Sequence, residues 1–228
     1  MLSRRIGRAE LRFTDTADGD LRTDASARAR IHAAPWSLLH QVHGGRVVVV
    51  DEAGAYAGAD ADAAVTRVDD APLVVMTADC APVALVAGHG DDTVVAVAHA
   101  GWRGLVAGVI RNTVDAMRDA LGDDRAQVTA VVGPCIHAEC YEFGDDDLDT
   151  VARVLGDDAV RATTRDGRRA LDVPAAVLAA LRRARVDDAH VDIVDICTSC
   201  SAATHWSHRA RGDVERQGVV VWRSASTS

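Results

Sequence analysis

Residues 73–104 constrain the fold of this chain more than any other stretch. They contain β-branched apolar runs that turn residues bound on each side, a pattern that predicts buried strands. The runs are residues 73–76, 83–87 and 94–98. Cys80 separates the first two runs, His99 follows the third, and residues 101–104 (GWRG) predict a turn into a helix. A thiol and an imidazole at strand ends, beside a glycine turn, predict a functional site.

Composition and charge narrow the class of protein. The chain has 228 residues, of which 48% are hydrophobic, and this is enough for a sizeable core in a single domain. The formal net charge of −9 argues against nucleic acid or an anionic membrane as the main partner. A local cluster of arginines can still bind a small anionic substrate. We therefore expect a small-molecule substrate, no nucleic acid and no membrane.

The expected cellular setting follows from the N-terminal segment and the cysteines. The first residues show no apolar leader, and no apolar run reaches the 18 residues of a membrane span. Five cysteines are an odd number without a small-domain disulfide framework, which fits a reducing compartment. We expect a soluble cytoplasmic protein, and the monomer is the oligomeric state that we favour.

Outside the central stretch, strands and helices alternate irregularly. The order favours an α/β fold, a single domain over residues 1–228 with mixed sheets flanked by helices, over a strictly doubly wound sheet. Further strands are predicted at residues 10–14, 46–51, 63–68, 128–132, 191–196 and 218–222. Helices are predicted at residues 105–121, 147–155 and 174–185, with a short helix after a loop within residues 15–30. Apolar residues three and four apart support the helix at 105–121, and Gly122 is a plausible C-cap.

One candidate metal site uses residues that are far apart in the sequence. His43, Cys80 and His99 each stand at a predicted strand end. Three nitrogen and sulfur ligands with an open fourth position are the arrangement of a catalytic zinc. Asp60 and Asp62 precede the strand at 63–68, where paired carboxylates can orient a ligand histidine from outside. An Asp-rich solvated turn is the commoner interpretation of that pair.

A second candidate site is local. Cys197, Cys200 and His205 are spaced like the first three ligands of a zinc knuckle, and His208 lies two residues before the fourth position. Alternatively, two more thiols complete a four-thiolate structural site. That set is Cys135, Cys140, Cys197 and Cys200. A redox role for the Cys-x-x-Cys pair is also open. The residues alone rank this cluster about level with the dispersed site.

Several segments together resemble the YfiH-like family, whose members are also named laccase-domain or multicopper polyphenol oxidases, purine nucleoside phosphorylases and the peptidoglycan editing factor PgeF. The similar segments are QVHG (41–44), ADA (61–63) with Thr66, TADC (77–80) with Pro82, HAGWRG (99–104), Gly133-Pro134, CYE (140–142), Cys197-Thr198, Ser207, Arg209 and Arg216-Gln217. TADC with HAGWRG is far more specific than a lone Cys-x-x-Cys. The resemblance implies a layered α/β/β/α fold.

The resemblance also implies a ligand set and a substrate class. Carried over residue by residue, the zinc ligands are His43, Cys80 and His99, and the Cys197–His208 cluster then becomes structural or lines the pocket. A purine nucleoside and phosphate are the implied substrates. The sequence departs from the family at residues 1–35, which are short and lack the expected arginine and Gly-Gly turn. An arginine that would help to hold an anionic substrate is therefore expected to be missing.

The chemistry of the donor set favours zinc. Two imidazoles and a thiolate suit Zn²⁺ and also accept copper. A multicopper oxidase needs a histidine-rich copper cluster, and the nine histidines of this chain include no His-x-His run, so copper is disfavoured. Zinc with an open position makes hydroxide available near pH 7, which suits adenosine deamination. Phosphorolysis instead needs phosphate placed at C1′ of the ribose.

Four residues are candidate catalytic groups. Arg103 is a bidentate partner for phosphate, or it pairs with Asp62 or Asp79. Asp79 is a proton carrier, a hydrogen-bond partner of the ligand group, or a turn cap. Cys140 lines the pocket, acts as a nucleophile or is an inert buried thiol. Gln41 contacts the purine or metal-bound water.

Other functions remain open at this stage. The resemblance extends to Cys/His deamidase toxins, which makes Cys80 a thiolate nucleophile with His99 as its base. Peptidoglycan-precursor editing is another implied role, and a purely structural zinc protein is the alternative without catalysis.

Overall fold

The computed structural model describes residues 1–225, so the last three residues of the predicted domain lie outside the described part. The strands are β1 (Leu2–Ile6), β2 (Ala9–Phe13), β3 (Ser37–Leu38), β4 (Val47–Val50), β5 (Ala63–Thr66), β6 (Leu73–Thr77), β7 (Ala81–Ala87), β8 (Val94–Ala100), β9 (Val128–Val132), β10 (Arg161–Thr163), β11 (Arg169–Leu171), β12 (Val191–Ile193) and β13 (Gln217–Arg223). The helices are α1 (Ala25–Ile31), α2 (Trp102–Val106), α3 (Val109–Leu121), α4 (Asp145–Leu155), α5 (Val173–Arg183) and α6 (His208–Arg211).

Two larger sheets form the body of the molecule. The first has the strand order β1-β2-β13-β6-β3, with β13 antiparallel to both of its neighbours and β3 parallel to β6. The second has the order β12-β9-β7-β8-β5-β4, with β7 antiparallel to both β8 and β9. Every residue of β7 and β8 is buried, because these central strands are covered on both faces. Their continuous apolar sequences follow from this position.

Three hydrophobic clusters separate the layers. One lies between the sheets and includes Leu73 and Val97. The next lies between the second sheet and helices α2–α5, and Ile110 of α3 belongs to it. The last covers the outer face of the first sheet with α1 and includes Trp222. The order is therefore α/β/β/α, which confirms the mixed α/β class.

The structure corrects several predicted elements. The helix predicted over residues 105–121 is two helices, α2 and α3, because Gly108 between them adopts φ +82°. That left-handed conformation interrupts a helix and is cheap only for glycine. Gly122 is the left-handed C-cap of α3, as predicted. Strand β12 ends at Ile193 rather than at residue 196. The sequence analysis missed β1, β3 and the β10–β11 hairpin, because these short strands carry little apolar pattern.

The chain passes from the first sheet to the second within three residues. Strand β6 ends at Thr77 and β7 begins at Ala81, so residues 78–80 form a crossing segment between the two sheets. Strands β7 and β8 are antiparallel with Pro82 opposite His99, which brings the end of β8 to the same edge. None of the helices within residues 1–225 combines the length and apolar character that crossing a bilayer requires.

Candidate metal centre and cavity

The crossing segment places Cys80 at the junction of the two sheets. Asp79, which precedes it, adopts φ +102°. Its carboxylate accepts hydrogen bonds from the Thr198 hydroxyl at 2.7 Å and from the Arg209 backbone N–H at 2.6 Å, and its carbonyl accepts one from Ile136 N–H at 2.9 Å. Asp79 is thus held from three sides in a conformation that a non-glycine residue rarely adopts. It positions Cys80.

His99 lies on β8, directly opposite the residue that precedes β5. Its backbone N–H donates to the carbonyl of Asp62 at 2.7 Å, and its Nδ1 lies 2.8 Å from Asp62 Oδ1. The Asp62 side chain is completely buried. A carboxylate on Nδ1 fixes the tautomer and leaves Nε2 of His99 as the atom that can bind a metal.

The same carboxylate organises the loop that carries His43. Asp62 accepts hydrogen bonds from the backbone N–H groups of Val42 at 3.2 Å, His43 at 2.9 Å and Gly44 at 2.7 Å. His43 adopts φ +59°, so this loop needs such support. Of the two interpretations given for Asp62 from the sequence, the structure supports the one in which it orients a histidine.

The three candidate ligands converge. One ligand atom from each of His43, Cys80 and His99 lies within 4.8 Å of the other two, and the Nε2–Sγ distance between His43 and Cys80 is 3.8 Å. A Cβ atom on Gly101 would stand 2.8 Å from the His43 ring and 3.0 Å from Cys80 Sγ. Glycine at position 101 therefore makes room for this group.

Electrostatics favour a thiolate and an imidazolium in this group. Burial works to raise the pKa of the Cys80 thiol, but the imidazoles of His99 and His43 more than offset it and lower that pKa to about 6. Burial works to lower the pKa of His99, but Cys80 and Asp62 raise it to about 9. A thiolate and two imidazoles at this spacing fit Zn²⁺, the borderline metal that prefers such donors.

A cavity of about 660 Å³ opens onto these side chains. Its charged lining is strongly basic. Four arginines of the described chain line it, namely Arg22, Arg103, Arg209 and Arg216. The one acidic residue in the described lining is Asp79. Burial lowers the pKa of Arg216, and the positive charge of the nearby Arg22 lowers it further. In a chain with net charge −9, this concentration of positive charge favours an anionic ligand.

Arg103 and Gln41, two of the predicted catalytic residues, both line the cavity. Arg103 is exposed and its guanidinium lies 4.3 Å from the centre of the Trp102 ring. No carboxylate within residues 1–225 forms an ion pair with it, so the alternative of pairing with Asp62 or Asp79 is not observed. The Gln41 amide donates one hydrogen bond of 2.8 Å to the Met76 carbonyl and accepts another of 2.8 Å from the Met76 N–H. Both ends of this side chain are therefore bonded to the backbone of the cavity wall.

The remaining candidate, Cys140, belongs to a different group. Its Sγ lies near those of Cys197 and Cys200 and near the Glu139 carboxylate. His205, the third position of the expected knuckle, is not a member of this group, and its ring Nδ1 lies 3.0 Å from the Thr204 hydroxyl.

Arg22 and Tyr141, which line the cavity from distant loops, were not among the predicted site residues, whereas His208 at the start of α6 lines it as one alternative for the Cys197–His208 cluster had it. Arg22 lies in the N-terminal region, where we expected an anion-binding arginine to be missing. The structure corrects this expectation, because Arg22 lines the cavity beside Arg216. No motif or periodic pattern in the sequence marked Arg22 as a cavity residue. The similarity of CYE (140–142) to the family had pointed to the segment of Tyr141.

The fold and site together define a layered α/β/β/α protein with a candidate His₂Cys metal-ligand group at the junction of its sheets. The chain belongs to the family described as multi-copper polyphenol oxidoreductase laccase, whose model matches residues 19–224. This membership confirms the resemblance inferred from the motifs.

Relatives in this family carry enzyme names. The chain is 40% identical over 185 residues to a purine nucleoside phosphorylase of Streptomyces coelicolor, a match that covers 81% of this chain and 73% of the relative. It is 34% identical over 189 residues to a purine nucleoside phosphorylase of Xylella fastidiosa, covering 81% and 70%. It is also 34% identical over 187 residues to adenosine deaminase RL5 from an unknown prokaryotic organism, covering 77% and 70%.

Solved structures show the same fold. A Neisseria meningitidis protein of the family DUF152 is 27% identical, has a TM-score of 0.80 and covers 98% of this chain and 99% of its own. YfiH of Bacillus licheniformis is also 27% identical, with a TM-score of 0.73 and coverage of 82% and 73%.

Proposed function

We propose that this protein is a zinc-dependent enzyme that cleaves purine nucleosides by phosphorolysis. The observation that carries the proposal is the meeting, in one cavity, of the His43–Cys80–His99 ligand group and the four arginines. Relatives named purine nucleoside phosphorylase support the substrate class.

In phosphorolysis a phosphate oxygen bonds to C1′ of the ribose while the bond from C1′ to the purine nitrogen breaks. The products are the free base, protonated on nitrogen, and ribose 1-phosphate. Zinc held by the ligand group would supply a Lewis acid in the same cavity. The side chains that line the cavity would bind and position the phosphate and the nucleoside.

The arginines are the groups that would bind phosphate. Arg103 stacks on Trp102, and Arg209 lies 4.6 Å from the centre of the Tyr141 ring. Stacking restricts both guanidinium groups before any ligand arrives, which lowers the entropy lost on binding. We assign Arg103 a direct bond to phosphate, because no carboxylate among the described residues competes for it.

Asp79 and Gln41 act as positioning residues in this proposal. Both carboxylate oxygens of Asp79 already accept hydrogen bonds, and both ends of the Gln41 amide are bonded to Met76. Each holds the backbone beside the ligand group.

Hydrolytic deamination of adenosine is the second candidate. It is favoured by the three-ligand group, which leaves a fourth metal position for water, and by the relative named adenosine deaminase. Water adds at C6 of the purine and ammonia leaves, so inosine is formed without phosphate.

One assay separates these reactions. Purified protein with one zinc at this site is incubated with adenosine or inosine, with and without phosphate, and the products are resolved by chromatography. Phosphorolysis gives free base and ribose 1-phosphate only with phosphate, whereas deamination gives inosine and ammonia without it. Formation of none of these products would contradict both proposals.

A matched pair of arginine variants tests the phosphate site. Arg103→Gln is expected to raise the KM for phosphate about tenfold or more, because a charge-assisted hydrogen bond contributes about 1.5–3 kcal/mol. Arg111→Gln is the control, since Arg111 is exposed on α3 and pairs with Asp115. Equal KM values for the two variants would remove Arg103 from the phosphate site.

Chelation separates the zinc enzyme from a cysteine hydrolase. The lowered pKa of Cys80 beside His99 also fits a thiolate nucleophile and its base. The zinc enzyme loses activity on metal removal and regains it with Zn²⁺. A cysteine hydrolase keeps full activity after chelation and is inactivated by rapid alkylation of Cys80.

A further inference from the structure

A second group of potential ligands lies outside the cavity lining. Cys140 ends a short 3₁₀ turn, Ala138–Cys140, and Cys197 and Cys200 stand in the loop that follows β12. The ligand atoms of these thiols and of the Glu139 carboxylate all lie within 4.8 Å of one another. Cys200 Sγ is 3.3 Å from Cys140 Sγ and 3.7 Å from Glu139 Oε1.

We propose that Glu139, Cys140, Cys197 and Cys200 form a second zinc site, of the closed structural kind. Structural zinc takes four protein ligands in a tetrahedron, with Zn–S bonds of about 2.3 Å. Sulfur atoms at the corners of such a tetrahedron stand roughly 3.8 Å apart. The 3.3 Å and 3.7 Å separations of Cys200 from Cys140 and Glu139 are near that value, and every other separation in the group is at most 4.8 Å.

Two hydrogen-bond donors are directed at sulfur atoms of this group. The His137 backbone N–H points at Cys197 Sγ at 3.4 Å, and the Arg165 guanidinium lies 3.1 Å from Cys200 Sγ. Such outer donors stabilise metal-bound thiolates, and the charge of Arg165 offsets part of the negative charge of three thiolates and a carboxylate.

A disulfide is the competing interpretation of Cys140 and Cys200. A disulfide needs its two sulfur atoms at about 2.05 Å, and it would leave the third thiol and the carboxylate without a role. The arrangement of four donors around a common centre instead matches a cation.

The site would fasten two parts of the cavity wall. Tyr141, which follows Cys140, lines the cavity, and Thr198, which follows Cys197, donates to the Asp79 carboxylate. A metal on the two cysteines would therefore hold the segments that carry Tyr141 and Thr198 against each other.

The test is zinc content under reducing conditions. Wild type and three variants are loaded with zinc, dialysed against metal-free buffer and measured by elemental analysis. Two zinc ions per chain are expected for wild type, and one each for Cys200→Ser and Cys80→Ala. Cys135→Ala is the matched control and keeps two, because this buried cysteine is outside both groups.

Cobalt substitution identifies the ligands. The proposed site has three Co–S bonds and the first site has one, so Cys200→Ser should remove about three quarters of the thiolate-to-cobalt charge-transfer absorption. Cys80→Ala should remove about one quarter. Glu139→Gln provides a second variant that keeps all thiols, and it should weaken zinc binding by about tenfold or more.

Three results would overturn the proposal. The first is that Cys200→Ser and Glu139→Gln both retain the zinc content and affinity of wild type. The second is that wild type binds a single zinc, which Cys80→Ala abolishes. A Cys140–Cys200 disulfide, found by mass spectrometry in protein that takes up no second zinc, would show a redox pair instead. Circular dichroism of each variant establishes that its fold is retained.

Discussion

At the residue scale, Asp62 connects His99 to the loop that carries His43, two parts of the site that are distant in the sequence. Its buried carboxylate binds Nδ1 of His99 and the three amides of residues 42–44, so it sets both the ligand tautomer and the loop that carries His43. Since it is fully buried, water cannot replace any of these partners.

Asp62→Asn should weaken zinc binding about 10–100-fold, because an amide cannot accept all four of these hydrogen bonds. The free energy of unfolding should fall by about 1–3 kcal/mol, the cost of buried donors that lose their acceptor. Metal titration and urea unfolding measure the two effects. Asp60→Asn is the control, since Asp60 is exposed and its side chain pairs with the exposed His40; equal losses in both variants would contradict the assignment.

Gly101→Ala tests how tightly the ligand group is packed without changing a ligand. The backbone there has φ −74°, which alanine tolerates, so the effect comes from the contacts of the new methyl group with His43 and Cys80. Zinc affinity should drop at least tenfold, with a loss of about 1–3 kcal/mol in stability from overpacking. Gly144→Ala, where the methyl group meets nothing within 4 Å and φ is −69°, should bind zinc like wild type.

At the element scale, α3 is fastened to its surroundings by one buried cation. The Arg118 guanidinium donates to the carbonyls of Ala126 at 3.3 Å, Ala184 at 2.8 Å and Arg185 at 3.1 Å. These carbonyls belong to the segment before β9 and to the end of α5. The Arg118 side chain therefore connects α3 to the end of α5 and to the segment that leads into β9.

Arg118→Met should lower the free energy of unfolding by about 2–3 kcal/mol, because it leaves buried carbonyls without a donor. Arg111→Met on the same helix removes an ion pair whose arginine side chain is 70% exposed, and it should cost less than about 0.5 kcal/mol. Urea unfolding compares the two. If both variants had equal stability, the carbonyl contacts of Arg118 would not contribute as described.

At the scale of the whole molecule, a charge network closes the end of the two-sheet stack. Arg8 and Arg223 both bind Asp69, and Arg223 also donates to the carbonyls of Asp91 and Thr93 that precede β8. Partial burial works to raise the pKa of Asp69, but its bonds with Arg223 and Arg8 more than offset this and hold the pKa below its ordinary value.

This pKa shift has a definite sign for stability. A carboxyl whose pKa is lower in the folded than in the unfolded protein stabilises the fold above the unfolded value, near pH 4, and that contribution is lost as the pH falls through the folded value. Asp69→Asn should therefore lower the melting temperature at pH 7 and reduce the loss of stability below pH 4. Asp192→Asn is the control, because Asp192 is exposed in a single 3.7 Å pair with Arg4. Parallel pH profiles for wild type and Asp69→Asn would contradict the prediction.

The sequence predicted the parts of the fold and site that rest on local pattern. The buried strands around Cys80 and His99 were recognisable because their apolar runs are continuous, and the family motifs pointed to His43. The cavity lining was not recognisable in the same way. Arg22 and Arg216 are 194 positions apart in the numbering, and their segments meet where Leu21 N–H donates to the Arg216 carbonyl and Arg216 N–H donates to the Asp20 carboxylate. Long-range pairing of this kind leaves no periodic signal.

The crossing segment has an evolutionary consequence. Cys80 lies in the segment between β6 and β7, His99 lies on β8, and the buried Asp62 carboxylate holds the loop that carries His43. Other parts of the cavity wall come from the loops that carry Arg22 and Tyr141 and from the short helix α6 that carries Arg209, and loops accept more substitutions than strands do. Substitutions in those loops would change the cavity wall while the His43–Cys80–His99 group keeps its place. A family whose members bear the names of an oxidoreductase, a phosphorylase and a deaminase is what such a division of labour would produce.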